Sequence, residues 1–491
     1  MTHSPPTPHI TIIGGGITGL SAAWYVQQEA AQQQIDISYT LLEQADRWGG
    51  KIRTETVDGF ADTPFVVEGG PDSFISQKPW AAQLARELGI ADQFLPTNDD
   101  RRKTFVLHKG KPTTLPDGVM LIVPTKMKPF ALSGLISPLG KLRMGLDWFI
   151  PAKQDNDDET LAQFINRRLG REALDKMAEP LLSGIYNADA ELQSMMATFP
   201  RFREMEREHG SLIKAMLAAQ KNRPPAPPSS NGRKPPSMFT SFKPGMEALV
   251  EALTAQLNGD CRLHTAVTHI QPTATGYQLR LSDDITLETN AVILAVPAFV
   301  AAQLLDEIAP QSAATLRQIR YVSTGTVSLA YKRDEIDHPL NGFGIVIPRS
   351  EKRRINAITW SSTKFDHRAP EGYALLRIFF GGSRTPEMMA VPDDNLLPIV
   401  QAELAEIMGL TAQPIFHRIY RWDKSNPQYD VGHLERVAAI QAQLPPNLFV
   451  TGSPYGGVGI PDCVHQAQQT AVAVVSSQLA VVSWQLLVGS C

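Results

Sequence analysis

The chain predicts an α/β fold in which a Rossmann-like dinucleotide-binding domain is joined to an antiparallel-sheet domain and a helical subdomain. Three observations carry this reading. A β-branched run, Ile10, Ile12 and Ile13, is followed at once by Gly14-Gly15-Gly16-Ile17-Thr18-Gly19 and a helical sequence, the order of a buried strand, a tight turn and a helix. Residues 322–382 alternate in the manner of long antiparallel strands, with segments at Thr326 to Tyr331, Phe343 to Ile347, Ile355 to Ser361 and Ala374 to Phe380. Residues 126–216 carry mostly helical signals, among them Gly140 to Phe149, Leu161 to Leu169 and Arg171 to Ala178.

In the glycine turn, Gly14 allows the tight bend, Gly16 lets backbone N–H groups approach a pyrophosphate, and Gly19 lets the helix lie close to the strand. Gly15, Ile17 and Thr18 complete the loop, and the helix that starts there turns the positive end of its dipole toward phosphate. A glycine turn without a nucleotide is the bland alternative. Against it, a second strand, Ile37 to Leu42, ends in Glu43 and Gln44, where an acid accepts hydrogen bonds from ribose hydroxyls.

Beyond Glu43, Arg47, the Gly49-Gly50 pair, Lys51 and Arg53-Thr54 extend this surface, and the extension resembles the FAD-binding amine oxidase superfamily. The resemblance implies FAD rather than NAD, and makes the antiparallel sheet a wall of the substrate cavity. Glu68-Gly69-Gly70-Pro71-Asp72-Ser73-Phe74 looks like the superfamily segment that passes the flavin ring. By the same resemblance Val267 uses its backbone on the adenine, and Trp422, after a strand from Ile415 to Tyr420, is an aromatic near the flavin.

The chain has 491 residues, 43 % hydrophobic and 20 % charged, enough for two or three domains with sizeable cores. A net charge of -4 argues against a nucleic-acid partner. Cys261, Cys463 and Cys491 are widely spaced, which predicts neither a disulfide framework nor a metal site, and suits a reducing cytoplasm. Met1 to Pro8 lacks the basic and apolar regions of a signal peptide. Residues 223–237, rich in proline and serine, predict an exposed loop. After it come an amphipathic helix, Glu247 to Leu257, a strand from Arg262 to Ile270, a hairpin around Gly276 and a buried strand at Val292 to Pro297. The domains are accordingly expected at 1–76, 243–298 and 430–491 for the nucleotide, 77–115 and 299–429 for the substrate, and 116–242 for the helical subdomain.

Near the C-terminus, Leu448 to Ser453 reads as another buried strand leading through Tyr455-Gly456-Gly457-Val458-Gly459-Ile460-Pro461 into an uncharged helix. Free N–H groups at its start suit negative charge on a reduced flavin, with Val458, Gly459 and Ile460 in contact. Gly-Val-Gly-Ile-Pro-Asp-Cys at 457–463, Gly-Pro-Asp-Ser-Phe at 70–74 and Glu-Pro-Leu-Leu-Ser-Gly-Ile-Tyr at 179–186 together resemble the oxygen-dependent porphyrinogen oxidases of haem biosynthesis. The likeness runs from His9 to about Leu479 and is greatest to the Gram-positive bacterial branch, which uses coproporphyrinogen III where other branches use protoporphyrinogen IX. The departures are the proline-rich loop, Asn187 where a small residue is usual, and an extended C-terminus.

The resemblance implies noncovalent FAD, a porphyrinogen substrate, and O2 reduced to H2O2 in three two-electron rounds. It points to the Gly184 carbonyl, with Ile185 beside it, as the group facing the macrocycle, and to Lys78 as a cation for propionates. Arg349, Lys352, Arg353 and Arg354 sit at a turn and read as a solvated face. Cys463 reads as packing rather than a flavin tether. An amine oxidase or carotenoid desaturase shares the nucleotide motifs, but an amine oxidase usually has two aromatic walls near the C-terminal motif, and only Tyr455 is available. A non-enzymatic binding protein of this fold would be expected to lose part of the fingerprint, which is intact here. Val464 to Cys491 contains no Asp, Glu, Lys or Arg, yet glutamines and serines interrupt it. It therefore predicts a core helix to about Leu479 and an apolar tail too short to span a bilayer, suited to a membrane surface or a neighbouring chain. Product transfer to the next haem-pathway enzyme completes the expected partners.

Overall fold

The computed structural model describes residues 7–116, 119–120, 122–124, 127–221 and 237–488. Except for Ser237, the proline-rich stretch lies outside them, as does Cys491. The nucleotide domain is built on five parallel strands in the order Asp260–Arg262, Ser38–Leu42, His9–Ile13, Ala291–Leu294 and Leu448–Val450. Parallel strands must be covered on both faces, and their side chains divide accordingly. Ile10, Ile12, Leu41 and Ile293 pack under helices Ile17–Gln32, Ala248–Thr254 and Ile460–Val488. Ile13, Val292, Leu294 and Val450 pack on the other side against helices Ala298–Leu305 and Pro310–Leu316 and a three-stranded sheet, Val267–Pro272, Tyr277–Leu281 and Thr286–Thr289.

A seven-stranded sheet forms the second domain, in the order Phe416–Pro427, Tyr321–Lys332, Tyr373–Gly381, Ala357–Trp360, Gly344–Val346, Thr104–His108 and Lys111–Thr114. Its neighbours are antiparallel except Gly344–Val346 beside Thr104–His108. Helix Asp393–Met408 buries its apolar stripe on one face. The helical subdomain has its own core around Phe164, Met177 and Leu212, and Thr160 opens helix Leu161–Arg168 with a capping box to Gln163.

Several expectations are corrected. The helix read at Arg171 to Ala178 is α-helical only over Arg171–Ala173, then widens into a π-helix, Leu174–Ser183, with Pro180 inside. Proline supplies no N–H and clashes with the carbonyl four residues back, and wider winding relieves both. The strand read at Arg262 to Ile270 is two strands in different sheets, parted where His264 takes φ +54°. Trp422 lies inside strand Phe416–Pro427, not after it. Helix Trp80–Glu87 packs in the nucleotide-domain core, as do Ala298–Leu305 and Pro310–Leu316, although the sequence boundaries assign all but Ala298 of these helices to the substrate domain. Phe239–Phe242, assigned to the helical subdomain, pairs with Phe74–Ile75 and Phe94–Pro96. The last helix continues past Leu479 to Val488, and no helix among the described residues is long and apolar enough to cross a membrane.

Candidate active site

The glycine turn closes as expected. Gly14 has φ +107°, and a Cβ on Gly19 would stand 1.8 Å from the Gly14 carbonyl oxygen, so the helix rests directly on the turn. At Gly16 a Cβ would meet nothing within 4 Å, leaving one side of the loop open to a ligand. Gly16 is also the N-cap of Ile17–Gln32, with no side-chain cap and no acid in the first turn. Its free N–H groups are those a diphosphate would satisfy.

Glu43 stands at the end of the second strand. Its carboxylate accepts from the Gly15 N–H at 2.6 Å and the Ala45 N–H at 2.8 Å, so it braces the glycine loop, and its remaining lone pairs are those a bound ribose would need. The neighbouring segment is tied in by the His264 and Thr265 N–H groups, which donate to the carbonyls of Ala45 and Glu43, and this brings the start of the Val267 strand beside Glu43. Gln44 is exposed beside them. Arg47, expected on the phosphate surface, instead donates to the Gly50 and Ile52 carbonyls and pairs with Glu247 at 2.8 Å. It holds the loop around Gly50 and Lys51 in shape. Glu43→Ala should remove both the loop brace and the ribose acceptor, and flavin binding should weaken by about 10²-fold on two lost charge-assisted hydrogen bonds. Flavin retained after dialysis at wild-type affinity would refute this role.

The Gly70-Pro71-Asp72-Ser73 segment is held from three sides. A Cβ on Gly70 would lie 1.7 Å from the Lys51 carbonyl oxygen, while Lys51 Nζ donates to the Ser425 carbonyl at 2.5 Å. Arg377 donates to the Gly69 and Gly70 carbonyls at 3.2 and 2.5 Å, and the Trp422 indole N–H donates to Gly69 at 2.8 Å. Trp422 thus acts on this segment through a hydrogen bond. Asp72 pairs with Lys364 at 2.8 Å and accepts from the Ser73 hydroxyl at 2.6 Å. Burial alone would raise the Asp72 carboxyl, but Lys364 and Arg377 outweigh it and hold the group well below the usual range. Glu68 shows the opposite balance: burial pushes it up to about 7 despite Arg368 and the Met246 N–H.

From the far end of the chain, the loop after Leu448–Val450 closes onto the first turn of helix Ile17–Gln32, where a Cβ on Gly452 would lie 2.9 Å from Thr18 Oγ1. Val458 and Gly459 lead into helix Ile460–Val488, whose first turn carries Asp462. Lys78 forms a bidentate pair with Asp462 at 2.6 and 2.7 Å and remains half-exposed. Cys463 is buried, and burial raises its thiol above the ordinary value, in keeping with a packing role.

Gly184–Tyr186 is a single turn beyond the π-helix, with Ile185 57 % exposed. A guanidinium nitrogen of Arg384 lies 3.5 Å from where a Gly184 Cβ would be. That guanidinium is itself fixed by Glu179 at 2.9 Å and the Ile347 carbonyl at 2.8 Å. Asn187 takes φ +50°, a left-handed conformation that asparagine tolerates better than most residues. In the basic run, Arg349 pairs with Asp189 at 3.4 Å and Arg353 with Glu403 at 3.6 Å, so those two are tied to acids rather than simply solvated. Tyr455 is buried against the nucleotide domain. Sequence reasoning missed Lys364, Arg377 and Arg384, none of which lies in a motif, and did not pair Lys78 with Asp462, which does.

The model of the family "Flavin containing amine oxidoreductase" matches residues 17–475. The chain is 35 % identical over 464 residues to the coproporphyrinogen III oxidase of Bacillus subtilis (strain 168), covering 94 % of this chain and 96 % of that protein. It is 30 % identical over 487 residues to the chloroplastic protoporphyrinogen oxidase of Nicotiana tabacum, covering 94 % of this chain and 84 % of that one. The crystal structure of a putative protoporphyrinogen oxidase from Exiguobacterium sp. 255-15 superposes with a TM-score of 0.83 at 29 % identity, covering 96 % of this chain and 99 % of that one. With glycine turn, Gly70 segment and C-terminal loop in close approach to one another and the family model matching from Ile17, inside the turn, through the other two, the chain is an oxidoreductase that belongs to the flavin containing amine oxidoreductase family.

Proposed function

We propose that the protein is an FAD-dependent coproporphyrinogen III oxidase of haem biosynthesis, converting coproporphyrinogen III and three O2 to coproporphyrin III and three H2O2. The observation that carries this reading is the near full-length likeness to the bacterial coproporphyrinogen III oxidase, closer in identity than the likeness to the plant protoporphyrinogen oxidase. FAD, when bound, supplies the two-electron redox chemistry and passes the electrons to O2. Gly14, Gly15, Gly16, Ile17, Thr18 and Gly19 would hold its diphosphate, Glu43 and Gln44 its ribose, and Val267 its adenine. Gly50, Lys51, Gly70, Pro71, Asp72, Ser73, Val458, Gly459 and Ile460, with Trp422 behind them, would line the flavin end. The open side of Gly16 and the uncapped helix start support that fit, and the buried Cys463 supports noncovalent attachment.

The chain's own work is positioning. Gly184 and Ile185 would face the macrocycle, and their turn is fixed by the buried Arg384–Glu179 pair. Lys78 would receive a propionate, and its pairing with Asp462 means that the incoming carboxylate shares or displaces an existing partner. Lys78→Ala should therefore raise KM for coproporphyrinogen III about tenfold with little change in kcat, as expected for a contact made equally in ground and transition states. Anaerobic mixing tests the function itself: coproporphyrinogen III should bleach the flavin absorbance, and bleaching by a primary amine alone would instead favour an amine oxidase.

Peripheral contact with a membrane surface belongs to the same reading. Its support lies in the helical subdomain, where Leu132, Leu139, Leu142 and Phe149 are 88, 79, 66 and 79 % exposed beside Lys141 and Arg143. Cosedimentation with anionic vesicles is its measurement. A cytoplasmic location and transfer of coproporphyrin to the next haem-pathway enzyme complete the proposal.

A further inference from the structure

We propose that Tyr429 is a positioning residue that couples the C-terminal glycine loop of the flavin site to the Gly184–Tyr186 turn. This rests on the functional reading above, since it takes those two segments as the two sides of the reaction space. The Tyr429 hydroxyl accepts from the Gly457 N–H at 2.8 Å and donates to the Ser453 carbonyl at 2.5 Å, clasping both ends of that loop. Its ring lies against Tyr186, with centroids 5.6 Å apart, and is stacked on His433 at 4.1 Å with planes within 15°. Gln428 donates to the Tyr186 carbonyl at 3.1 Å, and the Ser194 N–H donates to the Tyr429 carbonyl at 2.7 Å. Asp430 also bridges to Gln193 of the helical subdomain and pairs with Arg320 at 3.0 Å, so three consecutive positions tie this stretch to the helical subdomain and Tyr429 alone of the three also reaches the glycine loop.

Tyr429 is 2 % exposed and His433 is fully buried, so neither ring can swing into solvent. Burial lowers the His433 pKa to about 4, which makes the imidazole a neutral plate beneath the phenol at neutral pH. A close-packed contact transmits a displacement rather than absorbing it. A shift of the loop at Gly457 therefore moves the Tyr186 turn with it. The distance between the flavin-facing loop and the substrate-facing turn is set through this one side chain.

Tyr429→Phe keeps the ring contacts and removes both clasping hydrogen bonds. In the holoenzyme we expect kcat to fall about tenfold to 10²-fold with KM within about twofold, as for a small misplacement of reacting groups. Flavin release on dilution should also become about tenfold faster, with two hydrogen bonds on the loop lost. Tyr277→Phe is the matched control: it removes the buried phenol's hydrogen bond to the Pro446 carbonyl at 2.5 Å and should lower Tm comparably without changing kcat or flavin release. If Tyr429→Phe changes these quantities no more than Tyr277→Phe does, the coupling is refuted. Should Tyr429→Phe fail to fold, His433→Ala, which removes only the plate, must show the same selective loss of kcat, and a wild-type kcat there overturns the proposal. Flavin release is read without substrate, so a wild-type protein inactive on every porphyrinogen would defeat the functional reading while still leaving the clasp to be judged.

Discussion

Arg168→Ala should cost roughly 3–5 kcal/mol of folding stability, the penalty for leaving a buried acid without its partner. Arg168 is completely buried on helix Leu161–Arg168. Its guanidinium donates to Asp147 Oδ1 at 2.6 Å and to the carbonyls of Asp147, Ile150 and Gly210 at 2.9, 2.9 and 3.0 Å. Asp147 is equally buried, and it also accepts from the Ser211 hydroxyl at 2.6 Å and the Ile213 N–H at 3.0 Å. Truncation would strand a carboxylate and several carbonyls at once. Lysine is a poor substitute because one ammonium cannot reproduce the planar fork. The exposed Arg317–Asp306 pair makes the contrast, and its removal should change little. Urea denaturation followed by circular dichroism measures both, and a wild-type midpoint for Arg168→Ala would contradict the assignment. The loss matters for function because the Gly184–Tyr186 turn belongs to the same subdomain.

Gly70→Ala should abolish flavin binding or reduce kcat/KM by about 10²-fold, since displacing a positioned segment by an ångström is enough to do so. The added Cβ would stand 1.7 Å from the Lys51 carbonyl oxygen and 2.9 Å from its carbon, and both are backbone atoms. No side chain can yield to make room. Either the Gly50–Ile52 loop or the Gly69–Ser73 segment must move, and the latter is pinned by Arg377 and Trp422. Gly134→Ala is the control, because its Cβ would meet nothing within 4 Å. Flavin stoichiometry by absorbance reads the result, and a normal flavin content with normal turnover in Gly70→Ala would refute the close contact.

What the sequence made legible was local. Alternation and β-branching located the strands, and the spacing of Gly14, Gly16 and Gly19 located the turn, because both depend on short-range sterics. The run from Arg262 to Ile270 misled because its β-like pattern continues through His264, whose left-handed backbone ends the strand without a glycine to announce it. The π-helix was hidden for a similar reason: Pro180 is compatible with several ways of breaking a helix, and packing chooses among them.

Partnerships across the fold were not legible at all. Asp72 and Lys364 are 292 residues apart, and Lys78 and Asp462 are 384 apart. Asp72 and Asp462 were visible within motifs, but nothing in the local pattern of Lys364 marks it as the partner of a buried acid. Arg47 was misjudged in the same way. Its position beside the glycine pair suggested phosphate, whereas the docking of Glu247, 200 residues away, gives it a carboxylate instead.

Substrate choice is read from steady-state oxidation of coproporphyrinogen III and protoporphyrinogen IX by the same flavin-replete preparation. Coproporphyrinogen carries two carboxylates where protoporphyrinogen carries vinyl groups, and a site built for it must leave those charges near cations or water. The expected result is a higher kcat/KM with coproporphyrinogen III, measured by porphyrin fluorescence, with three H2O2 formed per porphyrin. A higher kcat/KM with protoporphyrinogen IX, or no porphyrin from coproporphyrinogen III, would contradict it.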